Sequence, residues 1–146
     1  MKVFVLAPQE NWICDRIAEE WKKYCPDVTT ESIQEADVLW LLAGWCWNHV
    51  PMHILNSKKV VLTVHHIVPD KFDESKIRDF KIRDQFVDAY HTPNIKTAKI
   101  VNQLTTKPIY VSSYWYDPDC WEPADKSQCR DTLGLPDDKF IIGSFQ

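Results

Sequence analysis

DVLWLLAG (residues 37–44) is an unbroken apolar run between an aspartate and a glycine. It has no polar residue every second position, as a half-exposed strand has, and it is too short for a buried helix, so it reads as a strand covered on both faces. KVVLTVHHI (residues 59–67) repeats the pattern with β-branched residues and ends in two histidines. KVFVLA (residues 2–7) is a third such run.

Between these runs the period changes. Ile13, Ile17, Trp21 and Tyr24 recur at helical spacing with charged residues outside them, and Pro26 stops that helix. DVTTES (residues 27–32) reads as a weak, partly exposed second strand. Residues 52–56 read as a short helix, residues 76–85 as a charged helix, and FVDAYH (residues 86–91) as a fifth strand. Thr92 is expected to N-cap the next helix with Pro93 at its first position. PIYVSS (residues 108–113) is a sixth strand, and residues 127–133 a short helix closed by Gly134 with Pro136 beyond. Strands alternating with helices predict a parallel α/β sheet with helices on both faces, in the Rossmann-like order 3-2-1-4-5-6. FII at residues 140–142 is a final β-prone run with nothing after Gln146 to pair it, which suggests the front part of a longer chain.

The bulk numbers narrow the classes. The 146 residues suit one ordinary domain, and a net charge of −4 does not favour nucleic acid. Five cysteines with no CxxC pair read as reduced thiols of a cytoplasmic protein. Glycine is scarce at 3 and tryptophan abundant at 7, either as core filling or as platforms for a flat ligand such as a sugar or base.

In such a sheet ligands bind outside the carboxyl ends of the strands. That rule nominates Gln9, Asn11 and Trp12 after the first strand, Gly44 and Trp45 after the third, and His65 and His66 after the fourth. It adds His91 and Thr92 after the fifth and Ser112, Ser113 and Tyr114 after the sixth. Phosphate-loop patterns are absent: APQENWI has no glycine, and no GxGxxG or GxxxxGK[ST] follows a strand. A histidine can hydrogen-bond a hydroxyl or take its proton near neutral pH; the plain alternative is a capping or packing role. Alternation along a strand turns one of His65 and His66 to the cleft, and a one-residue change of register exchanges them. Trp45 and Trp47 suit either a sugar face or a rim. Asp88 reads as a structural carboxylate, and the run DESKIRDFKIRDQ as a solvated helix face. His49 and His53 stand four apart, but no further ligand completes a metal pattern.

The segment PIYVSSYWYDPDCWEPADKSQCRDTLGLPDDKFIIGSFQ resembles the interdomain region of GT-B glycosyltransferases of the retaining, family 4 type. Tyr116, Asp117, Trp121 and Pro123 align with that family's N-G-V-D-x-x-x-F-x-P turn, and residues 133–140 match its L-G-L-P-x-D-x-F. VDAYHTPNIKTAKIV is similar to the strand-to-helix segment of the family, and TVHHI to the strand whose histidine borders the acceptor site. Two features depart from the family: PQENW replaces a glycine-rich first turn, and SSYWYD replaces the Asn-Gly turn. No two glutamates stand eight apart, so the donor domain's Glu-x7-Glu is not here.

The resemblance implies an acceptor-side domain over residues 1–116, a connector over 117–139, and in 140–146 the first strand of a missing donor-binding C-terminal domain. It implies sugar transfer from a nucleotide-sugar co-substrate to a hydroxyl of a sugar or glycoconjugate acceptor, in polysaccharide biosynthesis, with His66 or His65 catalytic and Gln9, Asn11, Trp12, Gly44, Trp45, His91, Thr92 and Ser113 binding substrate. No metal and no other cofactor is expected, and the fragment alone is expected to be inactive. The exposed last strand offers a homodimer contact, and the expected place is the cytoplasm, with the inner membrane surface as a peripheral site. The competing expectations are a stand-alone Rossmann-like module that binds a small ligand or a protein, and a different enzyme with His65, His66 or His91 as base.

Overall fold

The computed structural model describes residues 1–120 and 122–143. They divide into two units, Met1–Trp115 and Tyr116–Gln146. The first holds a five-stranded, all-parallel sheet of β1 (Val3–Leu6), β2 (Val38–Leu41), β3 (Lys59–Thr63), β4 (Ala89–Thr92) and β5 (Ile109–Val111), side by side in that order. The helices are α1 (Ile13–Tyr24), α2 (Met52–Leu55), α3 (Glu74–Asp84) and α4 (Ile95–Val101).

This order corrects the expected 3-2-1-4-5-6. β1 pairs directly with β2, Val3 opposite Val38 and Leu6 opposite Leu41. DVTTES forms no ladder strand: a 3-10 turn takes Pro26–Val28, and Thr29 makes one isolated parallel bridge to Val3 on the other edge of β1. Counting that bridge, the order is 2-1-3-4-5-6. The reason is polarity. An interior strand of a parallel sheet is covered on both faces and must be apolar; polar DVTTES goes to the edge, and apolar Val38–Leu41 takes the interior place. The chain therefore reverses its lateral direction at β1, and the topological switch point lies between β1 and β2.

Paired residues of a parallel ladder share a face. Leu39 and Leu41 on β2 and Val60 and Leu62 on β3 lie on the face where Phe80 of α3 stacks on Tyr90 of β4, ring centroids 5.2 Å apart. Trp40 lies on the opposite face, in edge contact with Trp21 of α1 at 5.0 Å. Helices thus cover both faces, as the sequence predicts. α1 carries Asp15 in its first turn and Lys22 and Lys23 in its last, which suits the helix dipole.

The cap before α4 falls two residues later than expected. Asn94 is the N-cap, its side chain accepting from the Thr97 N–H, while Thr92 completes β4 and is fully buried. Asp88 is structural, as read from the sequence: it accepts from Lys59 Nζ and from the Val60 N–H.

In the second unit α5 (Lys126–Leu133) is N-capped by Asp125 and ends at Gly134 with φ 64°. Only glycine takes that left-handed value freely. Arg130 donates to the carbonyls of Pro136, Asp137 and Lys139, folding the LGLP turn back onto the helix. Residues 140–143 are not in a strand, and Phe140 and Ile142 are exposed. Trp121 and residues 144–146, on which part of the family resemblance and of the expected last strand fall, lie outside the described residues. No helix among the described residues is long and apolar enough to cross a membrane.

Leu39 is fully buried at the centre of the sheet. Leu39→Ala is expected to cost about 3 kcal/mol, read as a fall in the urea midpoint at unchanged m; a loss under 1 kcal/mol would contradict the interior placement of β2.

Candidate functional site

The turn after β1 carries its own anion. Gln9 and Asn11 sit in the left-handed region, φ 60° and 55°, which is costly for a residue with a Cβ. Asp15, in the first turn of α1, holds them there. Its carboxylate accepts the N–H of Gln9 at 2.8 Å, of Glu10 at 2.8 Å and of Trp12 at 3.2 Å. Partial burial works against the charge on Asp15, but these backbone donors outweigh it and hold its carboxyl below the ordinary range. In an open phosphate-binding turn those N–H groups would face the ligand. Here they are already bonded to a negative group, so Gln9, Asn11 and Trp12 form no phosphate cradle.

His65 is pinned at the end of β3. Its Nε2 lies 2.5 Å from the Leu42 carbonyl and its Nδ1 2.6 Å from the Tyr114 hydroxyl. A carbonyl only accepts, so the proton is on Nε2 and Tyr114 donates to Nδ1. Burial favours this neutral form and lowers the imidazole pKa. Cys14 Sγ is 3.3 Å from the same Nε2, which has no free lone pair to take the thiol proton. Burial, with Asp15 and Glu10 nearby, pushes the Cys14 thiol up, and burial pushes Cys46 up to about 11. Neither is a thiolate nucleophile at neutral pH.

His91 ends a polar chain across the sheet. Trp40 Nε1–H donates to Thr63 Oγ1 at 2.9 Å. That hydroxyl can then donate to His91 Nδ1 at 3.2 Å, and His91 Nε2–H meets Ser112 Oγ at 2.9 Å. The ring is only 9% exposed, and burial lowers its pKa. His91 is a satisfied core histidine and Thr92 a buried strand residue, so neither is presented to a ligand. Ser113 is exposed.

The hollow at the carboxyl ends of β2 and β3 has a volume of about 520 Å³, within the size range of small-ligand sites. Gly44, Trp45, His65 and His66 line it, so the structure brings these four nominated residues together. His66 is exposed, and Trp45 is half exposed. Gly44 lies close to Arg83: its carbonyl accepts from Nη1 at 2.8 Å, and a Cβ there would lie 2.9 Å from that nitrogen, so a side chain at this position would have to displace the guanidinium. A larger hollow of about 580 Å³ lies at the amino ends of β2 and β3. It is at the wrong end of the sheet for a ligand, and its Lys59 and Asp88 already pair with each other.

The carboxyl-end rule reaches Tyr114 but does not show that it fixes His65; sequence reading missed the α3 stripe of Lys76, Asp79, Phe80 and Arg83, all of which line the hollow. The stripe was visible as i, i+3, i+4, i+7 spacing within DESKIRDFKIRDQ; most of that run is solvated, as read, while Phe80 is buried, Arg83 is largely covered, and Lys76 and Asp79 stay exposed on the rim of the hollow. Among the described residues no group of three or more His, Cys, Asp and Glu is placed to hold a metal ion. No family model matches the chain, and no curated protein and no solved structure matches it.

Two outcomes test this geometry. Asp15→Ala should cost about 1 kcal/mol, and inorganic phosphate should restore part of the loss by bonding the freed N–H groups; equal stabilisation of the unsubstituted chain by phosphate would contradict a filled turn. The second is pH dependence. His65 and His91 resist protonation in the fold but take protons when unfolded, near their ordinary value of 6.5. Their contribution is complete above that pH and declines as pH falls through the lower folded values. The melting temperature should therefore fall from pH 7.5 to about 5.5, and His65→Gln with His91→Gln should flatten that slope. An unchanged slope in the double variant would exclude the two rings as its source.

Proposed function

We propose that the chain is the acceptor-side half of a GT-B glycosyltransferase that moves a sugar from a nucleotide-sugar to a hydroxyl acceptor. The observation that carries this reading is an asymmetry at the carboxyl ends of the strands. The turn after β1 is filled by Asp15 and has no place for a donor diphosphate. The neighbouring hollow is open and bears His66, Trp45 and Gly44. A domain that receives the acceptor and leaves the donor's diphosphate to another domain has this division of labour. The family resemblance of residues 108–146 points the same way.

In this reading His66 meets the acceptor hydroxyl, and Trp45 offers a ring face to the apolar side of a sugar. His65 is a positioning residue: Leu42 and Tyr114 fix its ring, and the ring fixes the wall beside His66. Rate enhancement would come from orienting the hydroxyl towards an oxocarbenium-like centre and from charge stabilisation supplied by the donor side.

A stand-alone binding module is the second reading, favoured by the engagement of both ring nitrogens of His65 and of His91. The same engagement counts against a different enzyme with either of these as base.

Saturation-transfer NMR with a panel of oligosaccharides and of nucleotide-sugars separates the readings. The expected result is transfer to saccharides, weakened by His66→Ala, none to nucleotide-sugars, and no release of nucleoside diphosphate above a boiled control. Turnover by this chain alone would refute the half-enzyme reading. Silence from every saccharide would leave the binding module.

A further inference from the structure

The hollow at the ends of β2 and β3 has a charge opposite to that of the chain. The whole sequence carries −4. The lining has Lys71, Lys76 and Arg83 against one carboxylate, Asp79, a balance of three cations less one anion. Asp79 is already committed, its Oδ2 lying 3.0 Å from Arg83 Nη1. Lys71 and Lys76 make no ion pair among the described residues, and both are exposed on the lining. Arg83 is held in place by Asp79 and the Gly44 carbonyl, and its buried Nε has no acceptor among the described residues. Like charges gathered with one neutralising partner repel one another unless an anion joins them.

The rest of the lining is apolar. Ile67, Val68 and Phe72 belong to the loop after β3, and Phe80 rises from α3. A free inorganic anion would gain nothing from these side chains, and a neutral sugar can accept hydrogen bonds from the ammonium groups but leaves their charge uncompensated. A ligand that satisfies both carries an anionic group and an apolar body in one molecule.

We propose that this hollow takes a phosphate ester of an apolar group, with the phosphate on Lys71 and Lys76 and the organic part against Ile67, Val68 and Phe72. Arg83 adds a fixed positive charge to the lining. Phosphate suits the two ammonium groups, which offer point charges and rotatable donors. The inference rests on the acceptor-side reading only in naming the acceptor's class; the binding itself stands without it.

The test is the fluorescence of the full chain, since Trp45 lines the hollow, titrated with 4-nitrophenyl phosphate, 4-nitrophenyl glucoside and inorganic phosphate, with calorimetry as the second readout. The aryl phosphate should bind tightest and weaken as salt rises. Lys71→Gln with Lys76→Gln should weaken it about tenfold, while Lys96→Gln on α4 leaves it unchanged. Both lysines are exposed, so the double variant should fold; its melting curve checks this. Equal affinity for the glucoside, or indifference to salt and to the double variant, overturns the proposal. Inorganic phosphate binding as tightly as the ester overturns it as well. Vesicles of phosphatidylcholine with phosphatidic acid distinguish the source. Lysine-dependent co-sedimentation assigns the phosphate to a lipid headgroup, whereas ester binding without co-sedimentation assigns it to a soluble ester; either supports the site. Saccharide binding without ester binding refutes this inference and leaves the glycosyltransferase reading. The converse leaves the phosphate site and removes the saccharide acceptor from that reading.

Discussion

The burial of Leu39 and Leu41 between β1 and β3 is the constraint on which the rest of the unit depends. Both are fully buried, and both pair in register with strands on either side. Apolar surface of this kind contributes about 25 cal/mol per Å² removed from water, and only an interior strand removes it on both faces. Once β2 takes that place, the polar segment of residues 27–32 is left at the edge, and the switch point falls between β1 and β2. The carboxyl ends of β1, β2 and β3 then face one common edge, with Asp15, His65 and Arg83 arranged along it.

Two hydrogen-bonded networks occupy that edge. The Asp15 carboxylate replaces a bound anion at the first turn, and it allows Gln9 and Asn11 to remain in a left-handed backbone without glycine. The chain from Trp40 through Thr63 and His91 to Ser112 gives the side-chain donors of Trp40, Thr63 and His91 an acceptor each, in a row across β2, β3 and β4. Each removes hydrogen-bonding capacity from the binding edge and spends it inside the protein. A buried polar group left without a partner costs more than a bond gains, so both networks are closed. What stays open is the hollow beside them, where the side chains of His66, Lys71 and Lys76 have no hydrogen-bond partner among the described residues and apolar side chains leave room for a ligand.

Much of the fold was legible in the residues. The apolar runs around Leu39, Leu62 and Val5 gave their strands away because a parallel strand covered on both faces has no polar alternation. The helical spacing of Ile13, Ile17 and Trp21 did the same for α1, and Gly134 marked the end of α5. The strand order was less legible. DVTTES has strand-forming residues, and only the comparison of its polarity with that of β2 decides which of them sits inside. Thr92 misled as a cap because its neighbour Pro93 suits a first helical turn, yet Asn94 offers the better acceptor once β4 extends to Thr92.

At the site, sequence alone determined which residue types stand at the carboxyl ends of the strands, because chain order and periodicity place them there. Gly44, Trp45, His65 and His66 come together for that reason. Tertiary structure decided what each can do. It turned His91 inward to a hydroxyl and closed both nitrogens of His65. It set Asp15 into the turn where a phosphate would lie, and it brought Lys71, Lys76 and Arg83 beside the histidines from a loop and helix that look merely solvated in one dimension. Availability is a matter of which partner is nearest in space. The partners of these groups lie up to 49 residues away along the chain, as Tyr114 does from His65, and no local spacing encodes them.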